Sequence, residues 1–334
     1  MKAPGPVAAA VRRAPRAFAV LALGAVLLTG CGATGTPVDP APVSAAERPL
    51  PVGVQENPTT ASTSAAPVPE CNPTQSLRPG PLPPAGQMPA GSTMANIQAR
   101  GKLIAGVDQN TYLFGFRNPS TNRLEGFDID RVHDVAEAIF GPSPNIDEKI
   151  QYKVISSAER VNALKNGEVD IVARTFTANC QRWADINFSA IYYVAGQKLL
   201  VPTSSTVESL DQLAGKKVCA ARGSTSIGRI VAKKAVPVAT DTWSDCLVML
   251  QQNQVEGVST DDTILAGMVK QDPNTKIVGP PLSDEPYGIG IPKQNEDMVR
   301  FVNGVLEKSI GDGSWAQSAQ TWVGGAQPPV RQYR

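Results

Sequence analysis

The sequence predicts an α/β fold with mostly parallel sheets. Segments with the apolar pattern of strands alternate with segments of helical periodicity from about residue 95 to residue 322, as in chains whose strands are joined through helices. The run Val169–Ala173 is apolar without polar alternation, as expected of a strand buried on both faces. No internal repeat of fixed period is found, so we expect non-repetitive α/β domains.

The elements fall into two sets. In the helix Asp128–Phe140, apolar side chains recur at the spacing of one helical face. The first set comprises a short helix at 95–98 closed by Gly101, strands Lys102–Val107, Ile150–Ile155 and Val169–Ala173, helices Asp128–Phe140 and Arg160–Lys165, and the extended apolar run Phe188–Val201. The second comprises strands Lys217–Ala220, Val236–Ala239 and Val255–Thr260, with helices from Thr225 and at Ser244–Gln252. After it come helix Asp262–Val269, strands Lys276–Val278 and Tyr287–Ile291, helix Glu296–Ile310 and a last helix around Trp315–Trp322.

The N-terminus has the pattern of a secretory signal. Arg12, Arg13 and Arg16 precede an apolar run, Ala17–Leu28, that is too short to span a bilayer stably. The residues that follow, Leu28-Thr29-Gly30-Cys31, resemble the bacterial lipobox, in which the cysteine is acylated and becomes the first residue of the mature protein. We therefore expect a signal peptide at 1–30, lipid on Cys31 and a location on the extracytoplasmic face of the cell membrane. The alternative is an ordinary cleaved signal.

A spacer should follow the anchor. Residues 31–90 are rich in Pro, Ala, Ser and Thr with few large apolar side chains, so most of this segment is expected to be a flexible or polyproline-like tether. Loss of Lys2 and the three arginines with the signal takes the formal net charge from +1 to −3. This charge does not point to a nucleic-acid partner.

Four cysteines remain after Cys31. An even number in an exported chain indicates two disulfides, for which three connectivities exist. We favour Cys219–Cys246 and Cys71–Cys180. Because His133 is the only histidine and the cysteine spacings are not those of zinc sites, we expect neither a metal nor a cofactor.

Seven short motifs, in order, resemble the polar amino-acid family of ABC-importer solute-binding proteins, and most closely the glutamine/glutamate-binding lipoproteins of actinobacteria. They are Gly126–Asp130, Gly167–Ile171, Arg182 ahead of Asn187–Ser189 and Tyr192-Tyr193, Leu213–Lys216, Gly223–Ser226, Val258–Asp262 and Tyr287–Gly290. The resemblance implies the bilobal type II periplasmic-binding-protein fold, with a ligand held between two α/β lobes. It places lobe 1 at 91–195 and 286–334, lobe 2 at 196–285, and the crossings near Ala195–Lys198 and Pro286–Gly290.

The resemblance also implies a site for a free amino acid. A guanidinium matches a carboxylate in a bidentate manner, so Arg182 is expected to bind the α-carboxylate, aided by backbone amides around Ser224 and Thr225. Asp261 should receive the ammonium group, while Asp262 caps the next helix. Thr175 or Thr177 should supply hydroxyl and backbone acceptors.

Seven further residues bear on the ligand's side chain. Asp108 matches a family position that faces this side chain, and Arg174 either faces it or pairs with a neighbouring acid. Phe127, Tyr112, Phe114 and Phe116 could wall the pocket, although core packing is the favoured role for any one of them. Ser157 stands where the glutamine-specific members have a stacking aromatic. The expected ligands are therefore glutamate, glutamine, aspartate and asparagine.

The interpretation is a monomeric, non-catalytic receptor that delivers an amino acid to an ABC permease. An enzyme on the same scaffold would need a nucleophile and a base in the cleft, and the sequence suggests no such pair. A third interpretation is a sensing lipoprotein that signals to a membrane partner rather than feeding a permease. A neighbouring permease gene or a direct complex would discriminate the first interpretation from the third.

Overall fold

The computed structural model describes residues 49–58 and 70–334. The predicted signal peptide, Cys31 and the remainder of the predicted tether lie outside these ranges. Within them the helices are α1 (Thr93–Arg100), α2 (Phe127–Phe140), α3 (Arg160–Lys165), α4 (Cys180–Asp185), α5 (Ser226–Ala232), α6 (Trp243–Gln251), α7 (Asp262–Gln271), α8 (Glu296–Gly311) and α9 (Ser314–Val323), with 3₁₀ turns at Ile146–Lys149 and Leu210–Leu213.

Most strands are short, and one of them, β10, is ten residues long. In chain order they are β1 (Gln55–Glu56), β2 (Gln75–Ser76), β3 (Leu103–Val107), β4 (Asn110–Thr111), β5 (Gly115–Arg117), β6 (Leu124–Glu125), β7 (Ile150–Val154), β8 (Ile171–Val172), β9 (Ile186–Phe188), β10 (Tyr193–Pro202), β11 (Lys217–Ala221), β12 (Val236–Thr240), β13 (Gly257–Asp261), β14 (Thr275–Val278), β15 (Asp284–Tyr287), β16 (Gly290–Pro292) and β17 (Gln332–Tyr333).

A five-stranded sheet in the order β7-β3-β8-β16-β9 organises the region that we call lobe 1. β3 runs parallel to β7 and β8, and β16 runs antiparallel to β8 and β9. The amphipathic helix α2 buries Ile129, Val132, Val135 and Ile139 in a core shared with α8 and α9. Burial of an apolar side chain contributes about 1.5–3 kcal/mol, so this face fixes α2 beside the sheet.

A second sheet organises the region that we call lobe 2. Its strands follow the order β1-β12-β11-β13-β10-β14, with β15 paired to β10. β11 is parallel to β12 and β13, whereas β10 is antiparallel to β13 and β14. Its core is separate from that of α2 and includes Val218, Val258 and Leu265.

Strands β10 and β15 run between the two lobes as an antiparallel pair. Tyr193 stands opposite Tyr287, and Gly196 stands opposite Asp284. Beyond this pair, β10 continues into the second sheet, while the chain after β15 returns to β16 of the first. The expected apolar strand Tyr287–Ile291 is therefore two strands, β15 and β16, that belong to different sheets.

Two stretches of the predicted tether form strands against the folded body. β1 adds an edge to the second sheet by pairing with β12, and β2 pairs with β17 near the C-terminus. Ser76 is buried and donates to the Phe188 carbonyl, 2.8 Å away.

Both favoured disulfides are present: one joins Cys71 to Cys180 and the other Cys219 to Cys246. The first fastens the N-terminal segment to α4, and the second fastens β11 to α6.

Candidate functional site

Polar side chains from both lobes meet beyond the carboxyl ends of β8, β11 and β13, where ligand sites of open α/β sheets occur. The residues that line this cleft are Ser157, Arg160, Thr175, Thr177, Arg182, Ser224, Thr225, Ser226, Trp243, Thr260, Asp261 and Ile264. The structure thus brings together Thr175, Thr177, Arg182, Ser224, Thr225 and Asp261 among the predicted site residues.

Arg182, on α4, joins the two lobes. The Asn179 side chain caps this helix by accepting from the Arg182 amide. Its guanidinium donates through Nη1 to the Thr177 carbonyl at 2.6 Å, and through Nη2 to the Gly223 carbonyl of lobe 2 at 3.0 Å. Desolvation lowers the pKa of Arg182 to about 10. A bound carboxylate would reverse that effect.

Arg160 is a second cleft arginine, and the sequence analysis placed it only at the start of a helix. It is buried and donates to the carbonyls of Ser157, Arg174, Thr175 and Gly223. Burial, together with the positive charges of Arg182 and Arg174, lowers the pKa of Arg160 well below its usual value. A cation in the first turn of a helix is unfavourable, because it lies at the positive end of the helix dipole. The position of Arg160 at the start of a predicted helix was therefore the sequence signal that its role is not simply to stabilise the helix.

Arg160 and Arg182 share one aromatic ring. Their Cζ atoms lie 4.3 and 4.9 Å from the centroid of the buried Phe176 ring. Within the described residues, neither guanidinium has a carboxylate partner within 4 Å. Two neighbouring cations that bind only carbonyls favour an anionic ligand, because an unpaired buried charge is costly.

Asp261 ends β13 and supplies negative charge on the other side of the cleft. It is buried, and its Oδ2 accepts from the Tyr287 hydroxyl at 2.5 Å. Burial and the nearby charge of Glu285 raise the pKa of Asp261 to about 7. Asp262 does not cap α7 as expected: its carboxylate accepts from the Gly196 amide of β10 instead.

Glu285, which the sequence analysis did not single out, lies on β15 between the lobes. It is buried and accepts from the hydroxyls of Thr225 and Ser283. In the antiparallel pairing of β15 with β10, Glu285 stands opposite Ala195. It therefore ties the lobe 2 side of the cleft to a crossing strand.

Arg174 and Asp108 contact each other. Arg174 Nη2 lies 2.8 Å from Asp108 Oδ2, and the two side chains are only 2% and 4% exposed. Arg174 also donates to the Ile155 carbonyl and to Ser157 Oγ, and Asp108 also accepts from the Thr111 hydroxyl. Of the two alternatives for Arg174, the structure has the acid pair, and neither residue lines the cleft.

Thr175 has an unusual backbone conformation, with φ 40°. Its amide donates to Asp128 Oδ2 at 2.7 Å, and its carbonyl accepts from Arg160. Burial raises the pKa of Asp128 to about 6, and this carboxylate also accepts from the Tyr192 hydroxyl. Asp128 thus holds the turn that aims the Thr175 carbonyl at Arg160.

The loop after β11 forms the lobe 2 side of the cleft. The Ser224 amide already donates to the Ala221 carbonyl, so this amide does not complete a carboxylate site as expected. Ser224 Oγ and Trp243 Nε1 are buried and have no hydrogen-bond partner among the described residues. Both line the cleft, and Trp243 is a further residue that the sequence analysis missed.

Phe127 is a core residue, which corrects its assignment to the pocket wall. It is fully buried and makes edge contacts with Phe114, Tyr193 and Trp315. Phe114 is equally buried, and Phe116 packs against Trp322.

The two lobes touch closely at this site, whose cavity measures about 10 Å³. A Cβ on Gly223 would lie 2.6 Å from the Ala158 Cα, and one on Gly267 would lie 2.5 Å from the Tyr112 carbonyl oxygen. The cavity has room for about one water molecule. A larger cavity of about 260 Å³ lies elsewhere, on lobe 2 beside residues 209–211 and 278–282.

Two further properties concern the part of the chain that the structure describes. None of the helices there combines the length and apolar character needed to cross a bilayer. In the same residues, no group of three or more His, Cys, Asp and Glu side chains is placed to hold a metal ion.

Comparison with known proteins agrees with this architecture. Residues 103–325 match the model of the bacterial extracellular solute-binding proteins, family 3. The chain belongs to this family. The family's two-lobed type II periplasmic-binding-protein fold, expected above, is confirmed.

Individual relatives cover most of the folded body. The glutamine-binding protein GlnH of Bacillus subtilis is 35% identical over 234 residues, 69% of this chain and 84% of that protein. The glutamate-binding protein GluB of Corynebacterium efficiens is 30% identical over 244 residues, 69% of this chain and 81% of GluB. An ancestral arginine-binding protein bound to glutamine aligns with a TM-score of 0.62 at 32% identity, covering 67% of this chain and 99% of that one.

Proposed function

We propose that this protein is an extracytoplasmic receptor for an acidic amino acid, glutamate or aspartate, that serves an ABC importer. The observation that carries the proposal is the pair Arg160 and Arg182 over Phe176, opposite Asp261 and without a carboxylate partner among the residues that the structure describes. A dicarboxylate with one ammonium group complements the two cations and one anion, Arg160, Arg182 and Asp261, that line the cleft. Glutamine and asparagine are expected to bind more weakly, because their amide leaves one guanidinium without an anion.

The residue roles follow from this charge pattern. Arg182 binds the α-carboxylate, Asp261 the ammonium group, and Arg160 the side-chain carboxylate. The Ser224 hydroxyl and the Trp243 indole N–H, which have no hydrogen-bond partner in the described part of the chain, donate to the ligand's oxygens. Thr175 and Thr177 hold the two arginines through their carbonyls.

Binding requires the lobes to part and close again, because a 10 Å³ cavity is too small for an amino acid. We assign 91–195 and 286–334 to lobe 1, 196–285 to lobe 2, and the hinge to the paired segments of β10 and β15. Arg182 and Asp261 belong to different lobes, so both charges of the ligand are satisfied only in the closed form. An ABC permease can then distinguish loaded from empty receptor.

The protein is expected to be a monomer that is held at the outer face of the cell membrane through lipid on Cys31. The lipobox-like Leu28–Cys31 supports this anchor. Cys31 lies outside the described residues.

Replacing Arg182 with alanine tests the site. The ligand's α-carboxylate would lose its bidentate partner in a desolvated cleft, and we expect the loss of roughly 3–5 kcal/mol of binding free energy in calorimetric titrations with glutamate. Arg229, exposed on α5, gives a matched control: Arg229→Ala should bind as the unsubstituted chain does. An affinity of Arg182→Ala within about tenfold of the unsubstituted chain, or 1.4 kcal/mol, would contradict the assignment.

A further inference from the structure

Before residue 77, the described part of the chain contacts residues that are neighbours in sequence of the candidate site. It is described in two stretches, which we call the first stretch (residues 49–58) and the second stretch (residues 70–76). Both precede the family match at residues 103–325. Each touches a different lobe, next to a residue of the cleft.

The second stretch holds the helix that carries Arg182. Cys71 forms a disulfide with Cys180, two residues before Arg182. The indole Nε1 of Trp183, the residue after Arg182, donates to the Pro73 carbonyl at 2.9 Å. Helix α4 has only six residues, too few to be stable by itself, so these attachments fix where the guanidinium lies.

The first stretch holds the loop that receives Arg182 from lobe 2. Arg222 Nη2 donates to the Gly53 carbonyl and lies 3.2 Å from Asp241 Oδ1. Arg222 directly precedes Gly223, whose carbonyl accepts from both cleft arginines. The Arg222 side chain thus links Gly53 of the first stretch to the backbone next to Gly223.

The first stretch is bound weakly enough to undock. Its strand β1 has two exposed residues, Gln55 and Glu56. The Asn57 amide donates to the Pro237 carbonyl at 2.9 Å, and Val54 packs on the lobe 2 core. The ion pair of Glu56 with Lys217 is at the surface, where such a pair contributes little.

We propose that residues 53–57 of the first stretch are a positioning element of the ligand site, so that their docking on β12 and the binding of the amino acid strengthen each other. This inference rests on the proposed function. Docking fixes Arg222 and therefore the Gly223 carbonyl against which the cleft arginines are oriented. Because coupling free energies are reciprocal, the ligand must stabilise the docked stretch by the same factor by which docking raises affinity.

Two proline substitutions are compared in the full-length chain, purified in detergent. One breaks the docking of the first stretch, and the other adds a proline to the same stretch without removing a docking contact. Asn57→Pro removes the amide that donates to Pro237 and is incompatible with the φ of 48° at this position. Val52→Pro is the matched control. Val52 is 95% exposed and occupies the second position of the turn closed by the Val54 amide and the Pro51 carbonyl, where proline is well tolerated ahead of a glycine with φ 79°.

Calorimetric titration with L-glutamate should show an affinity that is lower by roughly 2- to 30-fold for Asn57→Pro and unchanged for Val52→Pro. Thermal unfolding without ligand should be alike in both variants. In the unsubstituted chain, saturating glutamate should slow hydrogen exchange at the Asn57 amide by the same factor, a readout that a merely structural strand would not give.

Three outcomes would overturn the inference. The first is an Asn57→Pro affinity within twofold of the unsubstituted chain, and the second is exchange at Asn57 that glutamate leaves unchanged. The third is an equal loss in Val52→Pro. If the unsubstituted chain bound none of glutamate, aspartate, glutamine and asparagine, the proposed function would fail, and this inference would fail with it. Ligand binding that is insensitive to docking of the first stretch would overturn the inference alone and leave the proposed function intact.

Discussion

The ion pair of Arg174 with Asp108 should matter for stability and not for ligand choice. Both side chains are almost fully buried, and their closest atoms are 2.8 Å apart. Arg174→Met keeps the apolar stem but leaves Asp108 with only its local donors, Gln109, Asn110 and Thr111. Removing one partner of a buried pair costs roughly 3–5 kcal/mol. For a protein of this size that is a fall of roughly 6–10 °C in Tm.

A double-mutant cycle separates the pair from its surroundings. Asp108→Asn should also destabilise, because it leaves the Arg174 charge buried and unpaired, whereas the double variant carries no unpaired charge. We expect the double variant to lose less stability than the sum of the two single losses, with a coupling of about 1–3 kcal/mol in urea unfolding. In titrations, the order of affinities for glutamate, aspartate, glutamine and asparagine should be the same in all four proteins. Additive losses of stability, together with a changed order of ligands in Arg174→Met, would show that Arg174 faces the ligand.

Two further predictions concern Asp261 and the anchor. Burial raises the pKa of Asp261 to about 7, so between about pH 4 and 7 the folded chain holds a proton that the unfolded chain, with a pKa near 3.9, has released. The free energy of unfolding of the ligand-free protein should therefore fall as the pH rises through this window. Asp261→Asn should make this pH dependence of the free energy of unfolding, measured by urea titration, less steep. An unchanged slope would show that Asp261 is not its origin. Cys31→Ala should move the protein from the membrane pellet to the soluble fraction, since one lipid group is the anchor that we propose; a cleaved variant that still pelleted would refute that anchor.

The regular elements of the fold could be predicted because their patterns are local. Helix α2 and strands β3, β11 and β13 lie within a few residues of their predicted bounds, since each repeats apolar residues at its own period. Strand β1 could not be predicted. It has two residues in a proline-rich stretch, and it exists only because β12 offers a free edge. Helix α4 was also missed, since its six residues depend on the Asn179 cap and the disulfide.

The candidate site likewise contains residues that could be predicted from the sequence and residues that could not. The presence of Arg182 and Asp261 in the cleft could be predicted from residue type and from family resemblance: Asp261 stands at the end of a recognisable strand, and Arg182 lies ahead of the motif Asn187–Ser189. Arg160 and Glu285 could not, because their role depends on which carbonyls and hydroxyls surround them after folding. The pairing of Arg174 with Asp108 joins residues 66 positions apart in the chain, and the charge pattern alone left two alternatives open.

The charge pattern of the cleft is the central claim, and selectivity tests it most directly. Calorimetric titration of the unsubstituted chain with glutamate, aspartate, glutamine, asparagine and arginine would rank the ligands under one condition. Arg160 and Arg182 have no carboxylate partner within residues 49–58 and 70–334. They therefore predict that glutamate or aspartate binds tightest, that the amides bind more weakly, and that arginine does not bind. Tightest binding of arginine, or equal binding of the acids and their amides, would contradict the account.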